Sequence, residues 1–171
     1  MLSLLPACSW IGPWFGYHPR SHAEPVTGSL AVAPAQDFVY EPAFEGGHSA
    51  NRIANTAVSS ILLKQDVNAA VRDAIAAQLR LSGFDLAGTR RVLSGRIEKC
   101  FVDDERSPAR WTLRIRYIVT DVESGRVVYT STKTVRREAP KFTNNAIALE
   151  DTVRANVQIL MDDSSFARAL N

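Results

Sequence analysis

Histidine and cysteine are scarce in this 171-residue sequence, and neither sign of charge dominates. His18, His22 and His48, with Cys8 and Cys100, lack the spaced pairs that a zinc cage or a catalytic metal needs. No glycine-rich phosphate loop and no nucleophile elbow is present either. The sequence therefore predicts no catalytic residues, no metal ligands and no cofactor, and an enzyme is not expected. A net charge of +2, from 20 basic and 18 acidic side chains, is too small for nucleic-acid binding as a general property. No window approaches the roughly 18 apolar residues that a spanning helix requires, so any membrane attachment must be of another kind.

What is present begins with an apolar start, Met-Leu-Ser-Leu-Leu-Pro-Ala-Cys8. Leu5-Pro6-Ala7-Cys8 resembles a bacterial lipobox: an aliphatic residue, a variable one, a small one, then the cysteine that is acylated after cleavage just before it. The resemblance makes Cys8 the expected lipidation site, residues 1–7 a signal-peptide remnant and residues 8–27 a lipidated tether. Ser9 follows the cysteine where Asp would favour retention at the inner membrane, and by analogy with enterobacterial lipoproteins this favours the outer one. Only seven residues precede Cys8 and none is Lys or Arg, whereas a signal peptide carries a basic region and an apolar core of about 7 to 15 residues. Two alternatives follow: translation starts upstream of Met1, or the likeness is chance. The segment up to Thr27 is punctuated by Gly and Pro, and its Trp10, Trp14, Phe15 and Tyr17 suit a membrane interface, a partner, or the chain's own domain.

Residues 28–171 read as one α+β domain, since two domains would each be small. Its centre is a long hairpin from Arg110 to Arg136. Trp111, Leu113, Ile115, Tyr117 and Val119 share one face and Arg110, Thr112, Arg114, Arg116 and Thr120 the other, as only a period of two allows. After Asp121-Val-Glu-Ser-Gly125 the alternation resumes. Gly28 to Pro34 predicts a first strand, Phe84 to Leu86 a short one, and Val92 to Asp103 a longer one with Leu93, Ile97 and Phe101 on a common face. Ala35 to Lys64 reads as a long loop with a strand near Val58 to Leu63, and a loop of that length is a candidate partner surface.

Apolar residues spaced three and four apart predict a helix from Val67, capped by the Asp66 carboxylate and ended at Gly83. Its alanine-rich face would approach a sheet, with Arg72, Asp73, Gln78 and Arg80 on the wet side. A second helix is predicted from about Asn144 to Met161, and Phe166 to Leu170 form a final turn. The expected architecture is a two-layer sandwich, a mainly antiparallel sheet of four to five strands with two helices on one face. Asp103, Asp104 and Glu105 read as a solvated turn, because a run of three acids lacks the spaced ligands of a cation cage. Arg110, Arg114 and Arg116, with Arg96 and Arg136, form a basic stripe interrupted by Glu98. Such a stripe either meets acidic headgroups or a protein partner, or simply keeps an exposed sheet face wet.

Asp66-Val67 opening a helix, Val71-Arg-Asp-Ala-Ile75, Gly83-Phe-Asp-Leu86, Ser124-Gly-Arg-Val-Val-Tyr129 and Asp162-Asp-Ser-Ser-Phe166 together resemble the YajG-type bacterial lipoproteins. That family is related to auxiliary lipoproteins of envelope ABC transporters; lipopolysaccharide-assembly lipoproteins are more distantly similar. The resemblance implies a non-enzymatic, lipid-anchored envelope protein, an accessory subunit of a transport or secretion assembly on the periplasmic face of the outer membrane. Its expected partners are that membrane, through the lipid, and other envelope proteins, with no nucleic acid. The alternative it leaves open is a carrier of a lipid or another apolar ligand.

Overall fold

A computed structural model describes residues 28–141 and 143–171. In chain order the elements are β1 (Ala31–Val32), β2 (Phe38–Tyr40), α1 (Glu41–Glu45), β3 (Arg52–Asn55), β4 (Ile61–Leu62), α2 (Val67–Leu81), β5 (Arg91–Asp103), β6 (Ala109–Asp121), β7 (Val127–Ala139), α3 (Asn145–Met161) and α4 (Ser164–Leu170). The α+β class holds, but among the described residues there are seven strands in the sheet and four α-helices. The extra strands are short pieces that the sequence hides.

β5, β6 and β7 form an antiparallel meander of three 13-residue strands. The other edge of β5 is taken by three short parallel partners in succession: β1 beside Val92 and Leu93, β2 beside Gly95 to Ile97, and β3 beside Phe101 and Val102. β4 then pairs with β3. The segment Ala35 to Lys64 is therefore structured rather than a long loop. Its pieces are two to four residues long and depend on β5 for their hydrogen bonds, so they show no period of their own. Val58, expected to begin a strand, is fully exposed. Phe84 to Leu86 also makes no strand, only a bridge between Asp85 and Ser29.

One residue reorders the long strand. Ile97 sits opposite Ile115 but Lys99 sits opposite Arg114, so Glu98 is a bulge. Side chains that face the helices are Leu93 and Ile97 before it, and Cys100 and Val102 after it. Phe101 is therefore turned to the outer face, not to that of Leu93 and Ile97, and Lys99 lies 5.2 Å from its ring centroid.

Both helices cover the inner face, as expected. Val67, Val71, Ile75 and Leu79 recur every four residues along α2 and are fully buried, as are Val153, Val157 and Leu160 on α3. Each such side chain contributes about 1.5–3 kcal/mol by leaving water. Ala76 of α2 is buried in the core, while Ala70, Ala74 and Ala77 line a groove beside α3, against which α2 packs. Arg72 is not simply on the wet side either, since it donates to the carbonyls of Ala33 (3.1 Å) and Val32 (3.3 Å) and ties α2 to β1.

The Asp66 carboxylate makes no capping bond; Val67 N–H donates to the Ala50 carbonyl instead. Asn144, in contrast, caps α3 by accepting from Ala146 N–H at 2.9 Å. Gly83, at φ +91°, ends α2 in the left-handed conformation expected of it.

Candidate functional site

The outer face of the sheet was one candidate binding surface, and β6 does present Arg110, Arg114 and Arg116 on it, each about half exposed. They are not a free basic stripe. The bulge pushes the Glu98 carboxylate between two of them, 3.0 Å from Arg114 Nε and 2.5 Å from an Arg116 nitrogen. Arg110 lies 3.6 Å from Glu138, and Arg96 is 2.7 Å from Glu41. Neutralised in this way, the face is polar and wet, with threonines of β7 filling the rows between arginines. Cys8, Trp10, Trp14, Phe15 and Tyr17, and also His18, His22 and Phe142, lie outside the described residues. His48 is half-buried in the loop after α1. Among the described residues no group of three or more His, Cys, Asp or Glu side chains is placed to hold a metal ion.

A concave site lies elsewhere, between the two long helices. Ala70, Ala74 and Ala77 of α2 and Ala146 and Leu149 of α3 floor a groove of about 890 Å³, with Leu63 at one end and Asp73, Glu150 and Lys64 on its rim. Small side chains at this spacing let α2 and α3 pack together while a groove stays open beside the contact. The alanine spacing was visible in the sequence, but not which layer those alanines faced.

Two polar clusters were also missed. At the edge of the inner face, Lys133 Nζ lies 2.6 Å from Asp163 Oδ2, which also accepts from the Tyr129 hydroxyl at 2.9 Å; Asp163 Oδ1 accepts from Ser165 N–H and caps α4. Its bond to the Lys133 ammonium, with those from Ser165 and Tyr129, holds Asp163 down at about 2 against burial, which acts the other way. Burial lowers Lys133, but the contacts with Asp163 and Tyr129 outweigh it and leave the ammonium harder to deprotonate. The sequence did carry a signal, for period two puts Lys133 on the covered face with Tyr129, and a covered lysine requires an acid. The cluster is a clamp that seats α4 on β7, with Phe166 packed edge-on against Tyr129 at 5.5 Å.

The second cluster surrounds Asp104. It accepts from the backbone N–H groups of Ala57 (2.8 Å) and Thr56 (3.2 Å), the Thr56 hydroxyl (3.0 Å) and the Asn55 amide (2.9 Å). Burial raises this carboxyl, but the bonds more than offset it, and the net shift is downward. Asp104 is thus the anchor of the loop after β3, not merely part of a solvated turn.

No family model matches the chain, and no curated protein does. Solved structures do. A protein of Xanthomonas campestris, XCC0632, described by the family model DUF330, superposes with a TM-score of 0.54 at 14% identity, covering 84% of each chain. The chain shares its fold with XCC0632. Weaker likenesses are to the PelC dodecamer of Paraburkholderia phytofirmans (TM-score 0.45, 17% identity, 80% of this chain and 87% of that one) and to a Caulobacter crescentus protein whose description as a lipoprotein is provisional (0.42, 12%, 69% and 89%). At 14% identity the XCC0632 match concerns the path of the backbone alone. It shows that this arrangement of long meander, short parallel strands and paired helices is one that another bacterial protein adopts.

Proposed function

We propose that this chain is a lipid-anchored, non-enzymatic cell-envelope protein, a YajG-like accessory subunit of a transport or secretion assembly. In this reading it hangs from the periplasmic face of the outer membrane through acylated Cys8. The reading rests on Leu5-Pro6-Ala7-Cys8 standing 20 residues before a compact domain, with an aromatic, Gly- and Pro-rich arm between them. Two further observations support it. No helix among the described residues is long and apolar enough to cross a membrane. The polar clusters described above are spent on holding elements together: Glu98 on arginines, Asp163 on Lys133 and an N-cap, Asp104 on a loop.

Intact-mass measurement of protein purified from its native host tests the reading. A mass raised by a diacylglycerol and an acyl chain, abolished in Cys8→Ala together with membrane association, is expected. Unmodified protein in the cytosol overturns it.

The groove between α2 and α3 favours a second reading, a carrier of an apolar ligand. About 890 Å³ floored by alanine and leucine is of the size that small-molecule sites have. Native mass spectrometry should then find co-purified lipid, and its loss in Ala74→Trp. Ligand-free protein from membrane extracts excludes this reading and leaves the first intact.

A further inference from the structure

One end of the domain brings exposed apolar side chains and arginines next to the junction with residues 1–27. Gly28, where residues 1–27 join the domain, packs against Leu170 and Phe84 and accepts from Asp85 N–H at 3.0 Å. Because β1 runs parallel to β5 from Val92 onward, Gly28 lies at the end where β5 begins. Arg91 pairs with Asp121 across β6, so the β6–β7 turn is at that same end, and Val122 N–H donates to the Arg90 carbonyl. α2 and α4 finish there too: Phe84 follows α2, and Arg91 Nε donates to the Ala169 carbonyl at 2.9 Å.

This end is apolar and basic at once. Leu81 on α2 is 80% exposed, Val127 on β7 57%, and Val122 in the turn before it 55%. Arg80, Arg90, Arg126 and Arg168 are exposed at this end; Arg90 lies 3.4 Å from Asp121, and Asp85 and Glu123 are the exposed acids. The opposite end, where β5 runs into β6 and β7 finishes, mixes Asp103, Asp104, Glu105 and Glu138 with Arg106, Arg110, Arg137 and Lys141 and lies far from the junction with residues 1–27. Exposed valines and leucine ringed by arginines match the boundary of an anionic bilayer, where apolar side chains enter the acyl region and guanidinium groups meet phosphates.

We propose that this end, formed by the Leu81 terminus of α2 and the Val122–Val127 turn, lies directly on an anionic phospholipid surface and orients the domain beneath its anchor. The inference rests on the acylation of Cys8 for its biological setting, because the arm from Cys8 enters the domain here. Two independent signals, a lipid and a basic apolar patch, would then fix both attachment and orientation.

The test uses the full chain with Cys8→Ser, so that its outcome does not depend on acylation. Flotation with vesicles of phosphatidylethanolamine and phosphatidylglycerol should recover the protein, and vesicles of phosphatidylcholine should not. Arg90→Glu with Arg126→Glu should weaken partitioning at least about tenfold, from the loss and reversal of two surface cations, and Val122→Asp with Val127→Asp should do likewise. Val58→Asp with Arg106→Glu, at the far end, should leave it unchanged. Equal losses from both ends, an unchanged partition in the first two variants, or no binding to any vesicle, as a protein-facing patch would give, overturns the proposal. Failure here leaves the intact-mass result standing, and an unacylated Cys8 leaves this partition standing.

Discussion

Tyr117 donates its hydroxyl to Asn156 Oδ1 at 2.8 Å, both side chains are fully buried, and through that bond the middle strand of the meander holds α3. The Asn156 amide in turn donates to the carbonyls of Lys133 (3.1 Å) and Leu113 (3.4 Å), so one side chain links a helix to two strands. Burial pushes the Tyr117 phenol well above its ordinary range, and it stays a donor at all accessible pH.

Removing either partner orphans the other. Tyr117→Phe is expected to cost about 1–3 kcal/mol, and Asn156→Ala about 2–4 kcal/mol because it strands three groups and leaves a void. Urea unfolding of the two single variants and of Tyr117→Phe with Asn156→Ala checks this. The double variant should lose less than the sum, since each single variant already breaks the bond between the two. Simple additivity would show that the bond holds nothing.

The clamp at Asp163 predicts a pH dependence. Its carboxyl ionises at about 2 in the fold and near 3.8 when unfolded, so the unfolded chain takes up the proton first on acidification. The contribution is complete above about pH 5 and is lost as pH falls from the unfolded value through the folded one. Asp163→Asn should therefore lower the thermal midpoint at pH 7, and the gap from the native chain should close below about pH 2. A gap that is constant with pH would assign the effect to capping of α4 rather than to the Lys133 pair.

Glu98 predicts a salt dependence. With Glu98→Gln the guanidinium groups of Arg114 and Arg116 lose their shared counter-charge, while Arg96 and Lys99 remain their cross-strand neighbours. The expected cost is about 1 kcal/mol at low ionic strength, recovered in part near 1 M salt, where the Debye length falls to about 3 Å. Denaturant midpoints at two salt concentrations measure it. A loss that grows with salt would contradict the repulsion.

How much of this was legible follows from where each pattern is enforced. β6 announces itself because its inner face is covered by helices along its whole length, and α2 and α3 do so because each buries one stripe. β1 to β4 were blurred because two- to four-residue strands owe their existence to the edge of β5, a tertiary fact with no local period. The bulge at Glu98 carries no Gly or Pro to mark it, and it alone misdirected Phe101. The arginines were placed on the right face with Glu98 among them, but its two close ion pairs with Arg114 and Arg116 depend on where the bulge aims its carboxylate. The groove was hidden for a similar reason: the spacing of alanines tells that a face is small-lined, not what stands opposite.

That groove supplies the last prediction. Ala74 and Ile75 are neighbours on α2, but Ala74 faces the trough and Ile75 is fully buried against the sheet. Adding volume at Ala74 meets open space and apolar walls, so Ala74→Leu is expected to be neutral or to stabilise by up to about 1 kcal/mol as it shields Leu149. Ile75→Ala, one residue away, should cost about 2–5 kcal/mol by opening a cavity in the core. Urea midpoints at unchanged slope compare the two directly. If Ala74→Leu instead destabilised by more than about 1 kcal/mol, as over-packing does, the groove would not be open at Ala74 in solution.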